Sequence, residues 1–205
     1  MTTRKLFFQN IFVASLFVSL TCFGQDDNPG VIDIAKLTFF NPGASYEKKI
    51  GRLQTLYGQV FMNTSIALAY SDALGNMSGI WFDPAAALQY RYYYNARRRE
   101  ERGKPTNRNN MNYVSVMYEF TFSRAAISDI YFNETKRRAM NRFGIVWGLQ
   151  RNFPKRFSVD LNIGVGMLAA RSTNIGSTGD YQTKTESVFT LPGQLNLGFW
   201  LGKKK

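Results

Sequence analysis

The clearest feature of the sequence is a strict two-residue alternation of apolar and polar side chains. Between Phe157 and Ala169 the odd positions are apolar, whereas the even positions are mostly polar or glycine. Successive side chains of a β-strand point to opposite faces, so a period of two predicts a strand with one face in an apolar environment. A helix would spread the same apolar residues around its circumference.

The same alternation recurs along the chain, at residues 88–94, 112–123, 142–151 and 189–199, and less regularly at 56–70. Several of these segments exceed the usual strand length of about five or six residues. They are long enough for a tilted strand to cross a bilayer. Past the N-terminal segment the sequence has no apolar run of helix-spanning length, which excludes a helical membrane protein. The pattern predicts an all-β fold, a single antiparallel up-and-down transmembrane β-barrel.

The spacing of turn signals predicts the number of strands. Tight turns are predicted at 51–54 and 152–155, and longer polar loops at 71–80, 125–136 and 172–183. Short turns on the periplasmic side and longer loops outside are typical of bacterial outer-membrane barrels, so residues 99–110 form a long periplasmic connection.

Seven strands are counted from Tyr46 onward, and an even total requires one more. The predicted first strand covers residues 31–40 with a reversal at 41–43, which gives eight strands. The alternative is one long bent strand over residues 34–49.

The N-terminal segment has the features of a cleaved signal peptide. Arg4 and Lys5 precede a mainly apolar stretch, and Cys22 and Gly24 place small residues before a cleavage site between Gly24 and Gln25. We expect residues 1–24 to be removed and residues 25–205 to form the barrel domain. A transmembrane anchor is the first alternative, although the apolar stretch is short for one.

A lipoprotein cysteine at Cys22 is the second alternative for this segment. Ser19 and Thr21 depart from the residues that usually precede such a cysteine.

Composition limits the available chemistry. The chain has no histidine, and its one cysteine, Cys22, lies in the predicted signal peptide. Disulfides, thiol catalysis and Cys/His zinc sites are therefore excluded for the mature chain, and we expect no cofactor, no bound metal and no catalytic residues. Outer-membrane hydrolases generally use a histidine as general base, so a non-enzymatic role is expected.

Basic residues converge at the predicted periplasmic end of the barrel. The formal charge is +12, and loss of Arg4 and Lys5 with the signal peptide leaves +10. Such a rim would contact lipid headgroups or dock an acidic protein of the periplasm or outer membrane, and nucleic acid is not an expected partner of a secreted barrel. The residues of this basic rim are Arg97, Arg98, Arg99, Arg102, Lys104, Arg108, Lys155 and Arg156.

The predicted inward face carries charges of both signs. In a narrow barrel an unpaired charge would be costly, so we expect these side chains to pair and to form a polar plug. A proton or ion path is the alternative. The predicted charge network contains Glu47, Arg91, Glu119, Arg142 and Asp160.

Three short motifs resemble those of small outer-membrane barrels. They are NPGASYE at 41–47, QYRYYY at 89–94 and GQLNLGFWL at 193–201. On these residues the chain is similar to the OmpX-like family, most of whose members have no assigned function. The resemblance implies insertion by the barrel-assembly machinery, whose usual signal is a C-terminal strand that ends in an aromatic residue. Asn196, Gly198 and Leu201 match part of that signal, whereas the three lysines at 203–205 depart from it.

These observations together predict a bacterial outer-membrane barrel with a structural or interaction role. It would contact outer-membrane lipids and would act as an accessory subunit of a larger envelope complex. Two alternatives are a stand-alone small channel and a barrel that binds a lipid or small molecule. A third is a soluble lipocalin-like binder in the periplasm, which would turn its apolar faces inward.

Overall fold

The computed structural model describes residues 30–71, 75–125, 133–175 and 181–202. The predicted signal peptide, its cleavage site at Gly24 and Gln25, and the three C-terminal lysines lie outside these ranges. Within them the chain is all-β apart from two short helical turns. No helix in the described part of the chain is long and apolar enough to cross a membrane.

The strands form one antiparallel sheet that closes into a ring of eight. Strand β1 pairs with both β2 and β9, and β7 pairs with β6, β8 and β9, so β1 to β7 and β9 complete the circle. Strand β8 pairs with the far half of β7, and β9 pairs with its first half. The strands are β1 Ile34–Phe40, β2 Gly43–Lys49, β3 Gln54–Ser71, β4 Gly75–Tyr92, β5 Asn112–Ala125, β6 Asn133–Asn152, β7 Phe157–Ile175, β8 Tyr181–Thr190 and β9 Gly193–Leu201.

The predicted eight-stranded antiparallel barrel is thus confirmed, and so is the separate first strand, which begins at Ile34 rather than at residue 31. The chain reverses between β1 and β2 at Asn41, whose φ of 53° is tolerated by asparagine. The Thr38 hydroxyl donates to the Asn41 carbonyl at 2.8 Å. Because the chain reverses here, the alternative of one long bent strand is wrong.

The three long loops were predicted to be longer than they are. Strand β3 continues to Ser71 and pairs there with Gly75, and β6 begins at Asn133. Strand β7 runs to Ile175, opposite Tyr181. A hairpin ladder is held by main-chain hydrogen bonds and can continue after the apolar alternation has stopped, so the side-chain pattern placed the strand ends too early.

The two faces of the wall have opposite polarity. Inward positions are mainly polar and buried, such as Gln59, Gln89 and Asn162. Outward positions are mainly apolar and exposed, and every strand of the ring contributes to this apolar outer surface. Its members include Leu37, Tyr46, Val60, Leu88, Val116, Phe143, Ile145, Ile163, Val165 and Phe199.

One end of the barrel is covered by the connection between β4 and β5. We call residues 93–111 the lid, and the end they cover the lid end. The lid contains a short helix, α1 (Ala96–Glu100), and a 3-10 turn at Asn107–Asn109. Its buried residues Tyr93, Ala96 and Met111 join an apolar cluster with Val31 and with inward side chains of β5 and β6. The turn at 153–156 and the start of β1 lie at the same end.

Candidate functional site

Two regions hold the charged residues singled out from the sequence: the barrel interior and the lid end. In the interior, four buried side chains bring two positive and two negative charges together. Arg91 Nη1 lies 2.8 Å from Asp160 Oδ2. Lys36 Nζ lies 3.7 Å from the same Asp160 oxygen and 4.0 Å from Glu47 Oε2. We call Lys36, Glu47, Arg91 and Asp160 the interior quartet. Its formal charges cancel, which reduces the cost of burying each of them.

Arg91 is the most constrained member of the quartet. Its guanidinium lies between two aromatic rings, 3.7 Å from the ring centre of Tyr57 and 4.2 Å from that of Tyr113. It also donates to Gln89 at 2.8 Å and to Gln150 at 2.9 Å. The guanidinium therefore has one fixed orientation, because it stacks on two rings and donates hydrogen bonds to three acceptors. This is expected for an arginine that organises a polar core.

Hydroxyl and amide groups satisfy the two carboxylates. Glu47 accepts from the hydroxyls of Thr55 and Tyr93 and, at 3.0 Å, from Gln150 Nε2. Burial and the Glu47 charge raise the pKa of the Tyr93 phenol well above its ordinary value, so Tyr93 stays a neutral donor. Asp160 accepts from the Tyr113 hydroxyl at 2.7 Å. Each of the two carboxylates is thus held by more than one donor.

The other two predicted interior residues pair separately, nearer the far end. Arg142 Nη1 lies 2.6 Å from Glu119 Oε1, and Thr121 donates to the same oxygen. This pair belongs to neighbouring strands, because Glu119 and Arg142 are direct ladder partners. The five predicted residues therefore form two sets, with Glu47, Arg91 and Asp160 in one and Glu119 and Arg142 in the other.

Two interior charges were missed in the sequence. Lys36 is buried at an inward position of β1, between outward Ala35 and Leu37, and a face assignment for the predicted first strand would have found it. Asp83 closely follows the outer loop predicted at 71–80 but is buried in β4, where it accepts from Ser123 and lies 3.5 Å from Arg137. Its inward position follows from the parity of Ala85, Ala87 and Gln89.

Three asparagines attach the lid to the barrel. Asn109 accepts from the Ile32 amide at 2.8 Å and donates to the Ile32 carbonyl at 2.9 Å. Asn110 makes the same two-way contact with the Asn152 backbone. The Asn152 side chain in turn donates to the Arg108 carbonyl at 2.6 Å. These amides take the place of ladder partners for the backbone groups of Ile32 and Asn152 and for the carbonyl of Arg108.

The eight predicted rim residues all lie at the lid end, in separate groups. Arg108 and Arg156 lie over the Trp200 ring, at 4.9 and 5.9 Å from its centre. Arg97 pairs with Glu101 on the exposed face of α1, and Lys155 is exposed in the turn before β7. The remaining four line a cleft of about 440 Å³ together with Tyr94, Asn95, Asn112 and Arg151. They are Arg98, Arg99, Arg102 and Lys104.

Asp33 forms an exposed polar contact at the same end, just before β1. Lys48 Nζ donates to Asp33 Oδ2 at 2.6 Å, and the Lys49 amide donates to Oδ1 at 2.7 Å. The Lys48 hydrogen bond, followed by the Lys49 amide, lowers the pKa of the Asp33 carboxyl. The contact ties the start of β1 to the end of β2.

The described residues contain no group of three or more histidine, cysteine, aspartate or glutamate side chains arranged to hold a metal ion. Comparison with protein-family models, with curated proteins and with solved structures returned no match. The interior quartet and the basic cleft are therefore interpreted from their own geometry.

Proposed function

We propose that the protein is a non-enzymatic barrel of the bacterial outer membrane with a structural or interaction role. The observation that carries this proposal is the polarity of the wall, which is apolar outside and polar inside. Val60, Val116 and Ile145 are each about three-fifths exposed although they belong to regular strands. Exposure of such an apolar surface to water is energetically unfavourable, whereas lipid acyl chains would cover it. A lipocalin-like binder would have the opposite polarity.

We further propose that the barrel acts as an accessory subunit of a larger envelope complex. The pairing of opposite charges in the interior quartet supports a structural core, since each buried charge has a counter-charge within 4.0 Å. Lys36 Nζ and Arg91 Nη2 are nevertheless buried without a hydrogen-bond partner. The exposed basic residues at the lid end supply a surface for other molecules. We assign no catalytic residue and no cofactor, and the removal of residues 1–24 on export remains part of the proposal.

The membrane proposal is tested by placing a charge on the apolar outer surface. In Ile145→Lys, an ammonium group replaces an outward alkyl side chain, which should cost about 2–4 kcal/mol if the site is at mid-bilayer. Asn107→Lys is the matched control, because it adds the same charge to the exposed lid. We expect wild type and control to fractionate with the outer membrane and to show heat-dependent electrophoretic mobility. The Ile145 variant should accumulate outside the membrane.

Equal behaviour of the two variants, or solubility of the mature chain without detergent, would overturn the membrane proposal. The accessory role is tested by the native size of the tagged protein after extraction in mild detergent. A salt-resistant assembly with defined co-eluting chains would support it. A single chain would contradict the accessory role and favour a self-sufficient barrel.

A further inference from the structure

The basic cleft at the lid end has a composition suited to an anion. Five cationic side chains line it, four from the lid and Arg151 from β6, and its lining contains no carboxylate. The two lid acids are engaged elsewhere: Glu101 pairs with Arg97 at 2.9 Å, and Glu100 accepts from Thr106. The positive charge of the cleft is therefore uncompensated by the side chains that line it, and an anion would relieve this repulsion.

The cleft also has a preorganised wall. Arg151 Nη2 donates to Asn112 Oδ1 at 2.7 Å, and its Nη1 donates to the carbonyls of Gln150 and Met111 at 2.7 and 3.0 Å. Arg99 is held through hydrogen bonds to the Pro105 carbonyl. Partial burial lowers the pKa of the Arg99 guanidinium, which reflects the loss of water around its charge. These two arginines need little reordering to receive a ligand, which lowers the entropic cost of binding.

The position of the cleft indicates the source of the anion. Asn112 and Arg151 are outward residues at the lid end of β5 and β6, and Tyr94 lies in the lid two residues after β4. The next outward residues from the lid end are Tyr92, Val114 and Leu149, and the apolar outer surface begins there. Just above the cleft, Trp147 Nε1 donates to the Tyr94 hydroxyl at 2.7 Å. A tryptophan–tyrosine pair between apolar and charged surface is typical of the depth of lipid headgroups.

We propose that this cleft binds the phosphate of an anionic phospholipid in the leaflet next to the lid end. The acyl chains would lie against Val114, Val116 and Ile145, and arginine forks would contact the phosphate oxygens. The inference rests on the proposed membrane location and names a lipid class for it. A lipid is favoured over an acidic protein because the cleft adjoins the apolar outer surface, where a soluble partner would lack access.

The test uses the full mature protein purified from membranes in mild detergent and titrated with phosphatidylglycerol, with bound lipid counted by native mass spectrometry. The double variant Arg98→Glu/Arg102→Glu reverses two exposed charges of the cleft. Lys49→Glu/Lys155→Glu is the control, because it makes the same charge change at exposed positions of the lid end outside the cleft. Loss of charge-assisted contacts should weaken lipid binding about tenfold or more in the cleft variant and only slightly in the control.

Three further probes test other possible ligands of the cleft. Phosphatidylcholine, inorganic phosphate and a polyglutamate peptide are titrated in parallel with both variants. Equal loss of phosphatidylglycerol in the two variants would overturn the proposal, and so would tight binding of inorganic phosphate alone. Polyglutamate binding that depends on Arg98 and Arg102, without lipid binding, would replace the lipid by an acidic protein.

Membrane insertion is recorded for the same samples. Failure of the wild type to insert would contradict the proposed membrane location. Normal insertion with lipid binding that does not depend on the cleft would contradict only the proposed lipid site.

Discussion

At the scale of single residues, the interior quartet shows why buried charges constrain a small barrel. Asp160 forms ion pairs with Arg91 and Lys36 and accepts a hydrogen bond from the Tyr113 hydroxyl, so one carboxylate faces two cations. A buried ion pair contributes little net stability relative to apolar packing, but removing one partner leaves the other charge uncompensated. A buried charge of the quartet therefore affects stability chiefly through the counter-charge that its removal would leave unpaired.

Replacement of Asp160 by asparagine is expected to destabilise the barrel strongly. Asp160→Asn keeps the size of the side chain but leaves Arg91 and Lys36 with only Glu47 as a counter-charge, which should cost about 3–5 kcal/mol. Urea-induced unfolding from lipid vesicles measures the free energy of unfolding. The control is Asp33→Asn, which removes an exposed carboxylate and should have a much smaller effect. Equal losses in the two variants would show that the quartet does not hold the interior together.

At the scale of elements, the lid is attached by side chains rather than by a strand ladder. Asn109 has a φ of 57°, and its amide makes both of its contacts with the Ile32 backbone. The Met111 carbonyl then accepts from the Gln150 amide at 2.9 Å, where the lid joins β5. Because few backbone bonds cross from lid to barrel, single asparagines carry much of the attachment.

Removal of the Asn109 side chain is expected to loosen the lid without unfolding the barrel. Asn109→Gly tolerates the positive φ and deletes the two side-chain hydrogen bonds to Ile32, at a cost of about 1–3 kcal/mol for the two bonds together. Hydrogen exchange of residues 107–113 should accelerate roughly tenfold or more. Asn107→Gly, in the same turn but exposed, is the control. If both variants exchange at the same rate, Asn109 is not the attachment point.

Element centres could be predicted from the sequence, whereas element ends and contacts between distant residues could not. The alternation at 157–169 predicts both the strand and its two faces. Every second residue lies on the apolar outer surface, which produces the period of two in the sequence. Past Ser123 the side chains no longer alternate, yet the ladder of β5 continues to Ala125. Arg91 could be assigned to the inward face, but its partner Asp160 is 69 positions away and depends on ring closure. The link from Asn109 to Ile32 spans 77 positions and has no local signal.

At the scale of the whole molecule, closure into a ring of eight leaves room for side chains and little more. Near the lid end this space holds the quartet, the rings of Tyr57, Tyr93 and Tyr113, and an apolar cluster that includes Met111 and Val146. Tyr57, Tyr93 and Tyr113 are almost completely inaccessible to solvent. The lid lies across the same end, so two layers of side chains separate the interior from solvent there.

The packed interior predicts that the barrel does not form an open channel. After reconstitution into a planar bilayer, the wild-type protein should give no stable single-channel steps, because an ion would have to displace the Arg91 guanidinium from between its two rings. A wide porin in the same bilayer serves as the control that the recording detects pores. Asn109→Gly should also be silent, since the quartet closes the barrel independently of the lid. Stable steps from the wild type would contradict this view, and steps from Asn109→Gly alone would show that the lid, rather than the quartet, is the seal.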